Sequence, residues 1–330
     1  MSDQRAPLSI TPDASALPQT RDNPLEFKIE KLLVPLDFSR ASMQALEYGL
    51  WLAKQFRAAI HLVHVHPPDE ASSVPGAGHL LFQSAEAVGQ LTEELTGIHR
   101  KHVSTFRPEN CHIRGGRPYE EIIRLAREID ADLIVLSTRG HSGLKHLLLG
   151  STTERVVRNA PCPVLVARKR KPRPKAGREA IAVRTILVPT DFSQCSLAGT
   201  EYAAFLAKTL GATLRLFHAI YPYTNYVFID HAGVRLSGLA EAVEETARQE
   251  MDALKQMDFL RGIPVQTETL PGPEVDEICA AAGEPDVDLI VTSTHGRTGL
   301  SHALIGSVAE HVVRYAKCPV VVVPSHDASS

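Results

Sequence analysis

The chain has 330 residues, 44% of them hydrophobic, and a formal net charge of −3 at pH 7. That balance excludes a bulk-basic nucleic-acid binder, and no run approaches the roughly eighteen uninterrupted apolar residues of a membrane-spanning helix. Five cysteines (Cys111, Cys162, Cys195, Cys279 and Cys318) without CxxC metal spacing fit reduced thiols in a cytoplasmic protein.

Residues 1–27 are polar, rich in Pro, Ser and Asp, and lack the apolar core of a signal peptide, so a flexible tail is expected there. An apolar run, Leu32-Leu-Val-Pro-Leu36, follows and ends in Asp37-Phe-Ser39, where Ser39 is placed to cap a helix carrying Leu46, Leu50 and Ala53 at helical spacing. A second strand is expected over Ile60–Val65, a long helix near 84–103 and a weaker third strand near Asn110–Arg114. After Gly116 comes another helix, with Pro118 suited to its first turn. Asp132-Leu-Ile-Val-Leu136 is the strongest strand, and it leads through a glycine loop into a helix over Thr152–Asn159 and a closing run, Pro163–Ala167.

The same order then begins again. Ile186-Leu-Val-Pro-Thr190 ends in Asp191-Phe-Ser193, with Ser193 as a second cap and Leu197 and Ala204 on the helix after it. Strands over Thr213–Ala219 and Val265–Leu270 and a helix near 236–257 follow, and after Gly272 comes another helix, with Pro273 suited to its first turn. Asp288–Thr292, a helix over Val308–Tyr315 and Pro319–Val323 complete the copy. The offset is 154 early and 156 late, and Ser137–Val166 agrees with Ser293–Val322 at 18 of 30 positions. A repeat of this length means two copies of one domain, expected at 28–168 and 182–325 and joined by a basic, proline-containing linker at 169–181.

Continuous apolar runs alternating with helices indicate parallel strands buried on both faces. Each copy is therefore expected to form an α/β, Rossmann-like open sheet of five parallel strands. Pairing the closing runs of the two copies would hide both exposed edges and give an internal pseudo-twofold dimer.

The candidate chemistry sits after the fourth strand, in a Ser-x2-Gly-x9-Gly-Ser pattern. It comprises Ser137, Gly140, Gly150 and Ser151 in one copy and Ser293, Gly296, Gly306 and Ser307 in the other. Glycine permits positive φ and close approach of backbone to ligand. The helix that follows attracts anions to its N–H end, where the hydroxyls of Ser151, Thr152, Thr153 and Ser307 are candidate phosphate donors. Asp37 and Asp191 stand beyond the first strand, beside the expected exit of the fourth-strand loop, where doubly wound sheets bind ligands. Arg139, His141, His146, His295, Arg297 and His302 rim the loops. The absence of Gly-x4-Gly-Lys-[Ser/Thr], and a loop after the fourth strand instead of the first, set the pattern apart from P-loop and dinucleotide motifs. On a strand His64 and His66 share a face and His61 takes the other, which disfavours a three-histidine metal site. Cys162 and Cys318 are expected to pack as small apolar residues.

From about Lys31 to Val323 the chain resembles the universal stress protein family, in its tandem two-domain form. The resemblance rests on the Pro-x-Asp-Phe-Ser turns, His64-Val65, the glycine loops and the closing Cys-Pro-Val-x-Val strands. It implies an adenine nucleotide alpha hydrolase-like fold and ATP binding. Adenine would lie near the ends of strands one and two, ribose near the strand-one Asp and phosphates on the glycine loop. Carried over by position, the first site would comprise Pro35, Leu36, Asp37, Val65, Leu136, Ser137, Gly140, Gly150, Ser151, Thr152 and Thr153. The second would comprise Pro189, Thr190, Asp191, Ala219, Thr292, Ser293, Gly296, Gly306, Ser307, Val308 and Ala309. Mg²⁺ would accompany ATP near Asp37 or Asp191. Ser137 and Ser293 depart from the strict pattern, which has glycine there. Leu36 lacks the hydroxyl of Thr190, and Ala309 lacks that of Thr153. The implied function is a nucleotide-responsive regulatory module in the stress response. A slow ATPase or autophosphorylating enzyme and a nucleotide-free interaction scaffold stay open. Carboxylates and anion-binding amides are present, but no evident general base and no lysine fixed at both loops. Further association of chains and protein partners also stay open, and neither nucleic acid nor membrane is expected.

Overall fold

The computed structural model describes residues 27–66, 85–103, 107–138, 149–168, 181–220, 239–294 and 306–324. The tail before residue 27, linker residues 169–180, Gly140, Gly296 and the rim residues Arg139, His141, His146, His295, Arg297 and His302 lie outside the described residues.

The first half runs β1 (Lys31–Pro35), α1 (Arg40–Phe56), β2 (Ala59–His66), α2 (Ala85–His102), β3 (Cys111–Gly115), α3 (Pro118–Glu128), β4 (Leu133–Ser137), α4 (Ser151–Asn159) and β5 (Val164–Ala167). The second half repeats it as β6 (Thr185–Pro189), α5 (Gln194–Leu210), β7 (Thr213–Ile220), α6 (Leu239–Lys255), β8 (Val265–Pro271), α7 (Glu274–Ala281), β9 (Leu289–Ser293), α8 (Ser307–Tyr315) and β10 (Val320–Val323). Ser39 and Ser193 cap α1 and α5 as their residue type demands, accepting from Ser42 N at 3.1 Å and Ser196 N at 3.2 Å. Pro118 occupies the first turn of α3, whereas Pro273 stands one residue earlier, as the N-cap of α7.

All ten strands join one sheet in the order β3-β2-β1-β4-β5-β10-β9-β6-β7-β8. Neighbours are parallel except at the centre, where β5 and β10 run antiparallel with Val166 opposite Val320, Leu165 opposite Val321 and Val164 opposite Val322. The two closing strands, buried along their whole length, thus hide each other's edges. The result is the expected pseudo-twofold arrangement within one chain.

The same carboxylate sets the strand pair that matters for the site in each half. Asp132, just before β4, accepts from Glu30 N and Lys31 N at 2.8 and 2.9 Å. Asp288 accepts from Arg184 N and Thr185 N at 2.7 and 3.0 Å. These charge-assisted bonds tie the start of the first strand to the start of the fourth, which fixes where their carboxyl ends emerge.

The core continues across the halves on both sides of the sheet. One apolar cluster joins Leu46 of α1 and Leu95 of α2 to Tyr202 of α5 and Met251 of α6. The other joins Ile122 and Val156 of α3 and α4 to Ile278 and Val312 of α7 and α8. Phe27, ahead of β1, meets Tyr202 of the other half edge-on with ring centroids 5.1 Å apart. Arg168, just past β5, donates to the Val313 carbonyl in the last turn of α8, where a cation also complements the helix dipole.

Candidate functional site

β1 has β2 on one side and β4 on the other, and β6 stands likewise between β7 and β9. The helix after β1 packs into one core cluster and the helix after β4 into the other, so the chain diverges to opposite faces at the carboxyl ends of these strands. At such a divergence doubly wound sheets bind their ligands, which makes this the candidate crevice in each half.

One wall is the aspartate turn. Asp37 Oδ1 accepts from Ser39 N at 3.0 Å; Asp191 Oδ1 accepts from Ser193 N at 3.1 Å and from Ser193 Oγ at 2.6 Å. Both carboxylates remain partly exposed. Pro35 and Pro189 end the strands before them and are also partly exposed, while Leu36 is buried. The backbone of Leu36 is committed to β2, its N–H donating to Val63 O at 2.8 Å and its carbonyl accepting from His64 Nδ1 at 2.7 Å. Val65 and Ala219, near the ends of β2 and β7, are buried, as are Leu136, Thr292 and Ser293; Ser137 is half-buried.

The other wall is the start of α4 or α8. Gly150 and Gly306 are the N-caps, and neither helix has a side-chain cap. The glycines themselves are tied back, Gly150 N to Thr138 O at 2.9 Å and Gly306 N to Thr294 O at 2.7 Å. The first intrahelical bonds run from Glu154 N to Gly150 O and Glu310 N to Gly306 O, so the N–H groups of residues 151–153 and 307–309 precede any helical acceptor. Ser151 and Ser307 are exposed there, and Thr152 and Val308 partly so. Glu154 and Glu310 are paired with Arg158 at 3.1 Å and Arg314 at 2.9 Å, which offsets their negative charge at the positive end of each helix.

Several details differ from expectation. Gly150 and Gly306 adopt φ of −62° and −58°, so positive φ is not why glycine stands there. Thr153 is buried, and its hydroxyl donates to Ser137 O at 2.8 Å; the one proton a phosphate oxygen would need is already used. Ala309, its counterpart, is buried without that bond. The Thr190 hydroxyl is also internal, accepting from Phe192 N at 3.0 Å and lying 3.2 Å from Ser196 Oγ. Thr190 and Leu36 therefore differ in how they pack, and the hydroxyl is turned away from the crevice.

A family model described as the universal stress protein family matches residues 28–168 and 182–324. The chain belongs to the universal stress protein family. A universal stress protein of Methanocaldococcus jannaschii is 34% identical over 147 residues, covering 43% of this chain and 84% of its own length, about one half of the tandem. A universal stress protein structure from Archaeoglobus fulgidus covers 92% of this chain and 99% of its own at 22% identity and a TM-score of 0.59. A protein of unknown function from Pseudomonas aeruginosa covers 90% and 92% at 22% identity and a TM-score of 0.61. These two likenesses establish the tandem fold.

Within this universal stress protein, sequence reasoning used the Asp-Phe-Ser turns and His64-Val65 as motifs and disfavoured His64 as a metal ligand, but gave Phe38, His64, Phe192 and His218 no role at the site. The signal was available, since both the Phe and the His recur at the offset of 154. Phe38 and Phe192 hold φ of 60° and 63°, a left-handed conformation that bulky residues rarely adopt. The buried thiols match expectation: Cys162 and Cys318 lie in the apolar cluster under the helices, and burial pushes Cys162 up to about 12. Among the described residues no helix is long and apolar enough to cross a membrane.

Proposed function

We propose that this tandem universal stress protein binds ATP with Mg²⁺ in the crevices beside β1/β4 and β6/β9, and acts as a nucleotide-responsive regulatory module in the stress response. The observation that carries the proposal is the pairing, in both halves, of an uncapped helix start with a partly exposed aspartate across the switch point.

The donor set suits a polyphosphate. Backbone N–H groups of residues 151–153 and 307–309, with the exposed hydroxyls of Ser151 and Ser307, favour anionic oxygens over neutral ligands. Asp37 and Asp191 would meet ribose hydroxyls or the Mg²⁺ that ATP brings. Adenine is assigned to the apolar ends of the first two strands, near Val65 and Ala219. The half-buried Ser137 and the buried Ser293 stand where the strict family pattern has glycine; we assign them to the floor of the crevice. No described lysine or general base stands at both helix starts, which favours binding over rapid phosphoryl transfer.

Calorimetric titration of the ligand-stripped protein with ATP and Mg²⁺ tests this. Saturable binding is expected, and Gly150→Val or Gly306→Val should each weaken the site in its own half, because a branched side chain would project where phosphate must approach. A folded wild type that binds no nucleotide would overturn the proposal and favour a scaffold used for protein contacts.

A further inference from the structure

The same histidine arrangement occurs in both halves. His64 Nδ1 donates to the Leu36 carbonyl at 2.7 Å, and its ring stacks on Phe38 with centroids 4.6 Å apart and planes 25° from parallel. His218 Nδ1 donates to the Thr190 carbonyl at 2.8 Å, with the Phe192 ring centroid 4.5 Å away. A carbonyl only accepts, so Nδ1 carries the proton in both rings and the tautomer is set by the bond. Leu36 and Thr190 are also held through their N–H groups, by Val63 O and Phe217 O at 2.8 Å each. The residue before each aspartate is therefore gripped at its N–H and its carbonyl, and the residue after it is gripped by its ring.

The aspartate lies between those two grips. The left-handed φ of 60° at Phe38 and 63° at Phe192 reverses the chain there and brings the aromatic ring back onto the histidine. Such backbone persists only where the surroundings over-determine it, and it concentrates at functional sites. It recurs in two halves whose residues before the aspartate differ, Leu36 against Thr190, while the histidine, the phenylalanine and the Asp–Ser turn bond are common to both.

We propose that His64 and His218 are positioning residues for the ligand crevice: each holds its aspartate turn in the orientation a nucleotide meets, from β2 or β7, chiefly through the Nδ1–H bond, with the ring packed on the phenylalanine as a lesser contribution. The ligand named here rests on the ATP proposal above, whereas the clamp rests on the hydrogen bonds and ring contacts alone. A turn already held loses less conformational freedom on binding, so the clamp contributes to affinity by preorganisation.

The test uses the full chain with His64→Phe and His64→Asn, and the same pair at His218. Phenylalanine keeps the volume and the stacking but removes the donor. Asparagine places an amide N–H near the position of Nδ1 but removes the ring. A merely space-filling histidine would be served better by phenylalanine, and a clamp by asparagine. With no ligand, hydrogen exchange at the Ser39 amide should accelerate about tenfold or more in His64→Phe and less than about threefold in His64→Asn, with Ser193 unchanged. The His218 variants should show the reverse. Long-range ¹H–¹⁵N correlation should show both rings protonated at Nδ1. For MgATP, the phenylalanine variants should weaken the affected site about tenfold and the asparagine variants less than about threefold. Wild-type exchange and affinity in the phenylalanine variants, or an Nε2-protonated ring, would overturn the clamp. A wild type that binds no MgATP would overturn the ATP proposal instead, leaving exchange and tautomer to decide the clamp.

Discussion

Thr153 donates its hydroxyl to the Ser137 carbonyl at 2.8 Å, stitching the first turn of α4 to the end of β4 with a group that residue type alone would assign to phosphate. Thr153→Val keeps the shape and removes the bond, leaving a buried acceptor short of one partner. A loss of about 1 kcal/mol in urea unfolding is expected, with MgATP affinity of the first site changed less than about threefold. A large loss of affinity at unchanged stability would return the Thr153 hydroxyl to the ligand.

His61 on β2 and His112 on β3 lie with Nδ1 and Nε2 3.2 Å apart, at the positions occupied in the second half by Arg215 and Glu268. Burial, then His112 and Lys31, push His61 down to about 4, and burial and Arg114 push His112 down as well. The unfolded chain, with histidines near 6.5, then binds protons that the folded chain refuses. Stability from this pair is complete above about pH 6.5 and falls as pH drops toward 4. Arg215 instead bridges Glu268 and Glu284, both bonds at 2.5 Å, and keeps its charge throughout. Urea midpoints at about pH 7.5 and 5 should therefore differ clearly in the wild type. The double change His61→Arg with His112→Glu should shrink that difference; an unchanged difference would assign the pH dependence elsewhere.

Cys162 gives a kinetic prediction. Its thiol is pushed up to about 12 by burial, and only the thiolate reacts with alkylating agents. Brief iodoacetamide treatment near pH 8 should leave Cys162 and the equally enclosed Cys318 unlabelled in the native protein and label both in urea, as read by mass spectrometry of peptides. Rapid native labelling of either would mean that α4 or α8 opens readily from the sheet.

What the sequence made legible follows the terms that act locally. The strand runs, the Ser39 and Ser193 caps and the repeat were readable because periodicity and capping depend on near neighbours. Even the long-range β5 to β10 pairing was readable, because two buried closing runs demand that their edges be covered. The directions of single hydroxyls were not. Thr153 and Thr190 turn inward because Ser137 O, Phe192 N and Ser196 Oγ stand beside them only after the sheet has formed. The role of His64 escaped for the same reason: its acceptor, Leu36 O, is 28 residues away, just past the end of the neighbouring strand β1. The His61–His112 pair depends on β2–β3 register that no local pattern encodes.

The seam between the halves yields the last prediction. Leu165 of β5 faces Val321 of β10, both 2% exposed, and the same apolar cluster takes in Leu46 of the first half and Leu197 of the second. A core that crosses the seam means that neither half can lose its packing without exposing the other. Val321→Ala should cost about 2 kcal/mol through lost burial and the cavity left behind. Trp51, the single tryptophan, belongs to α1 in the other half and packs against that shared cluster. If the halves unfold together, the Val321→Ala change will shift the Trp51 fluorescence transition and the far-UV circular dichroism transition by the same amount, to one common midpoint. A Trp51 transition that stays at its wild-type midpoint while the dichroism splits would show that the ten-stranded sheet parts at β5 and β10 before either half melts.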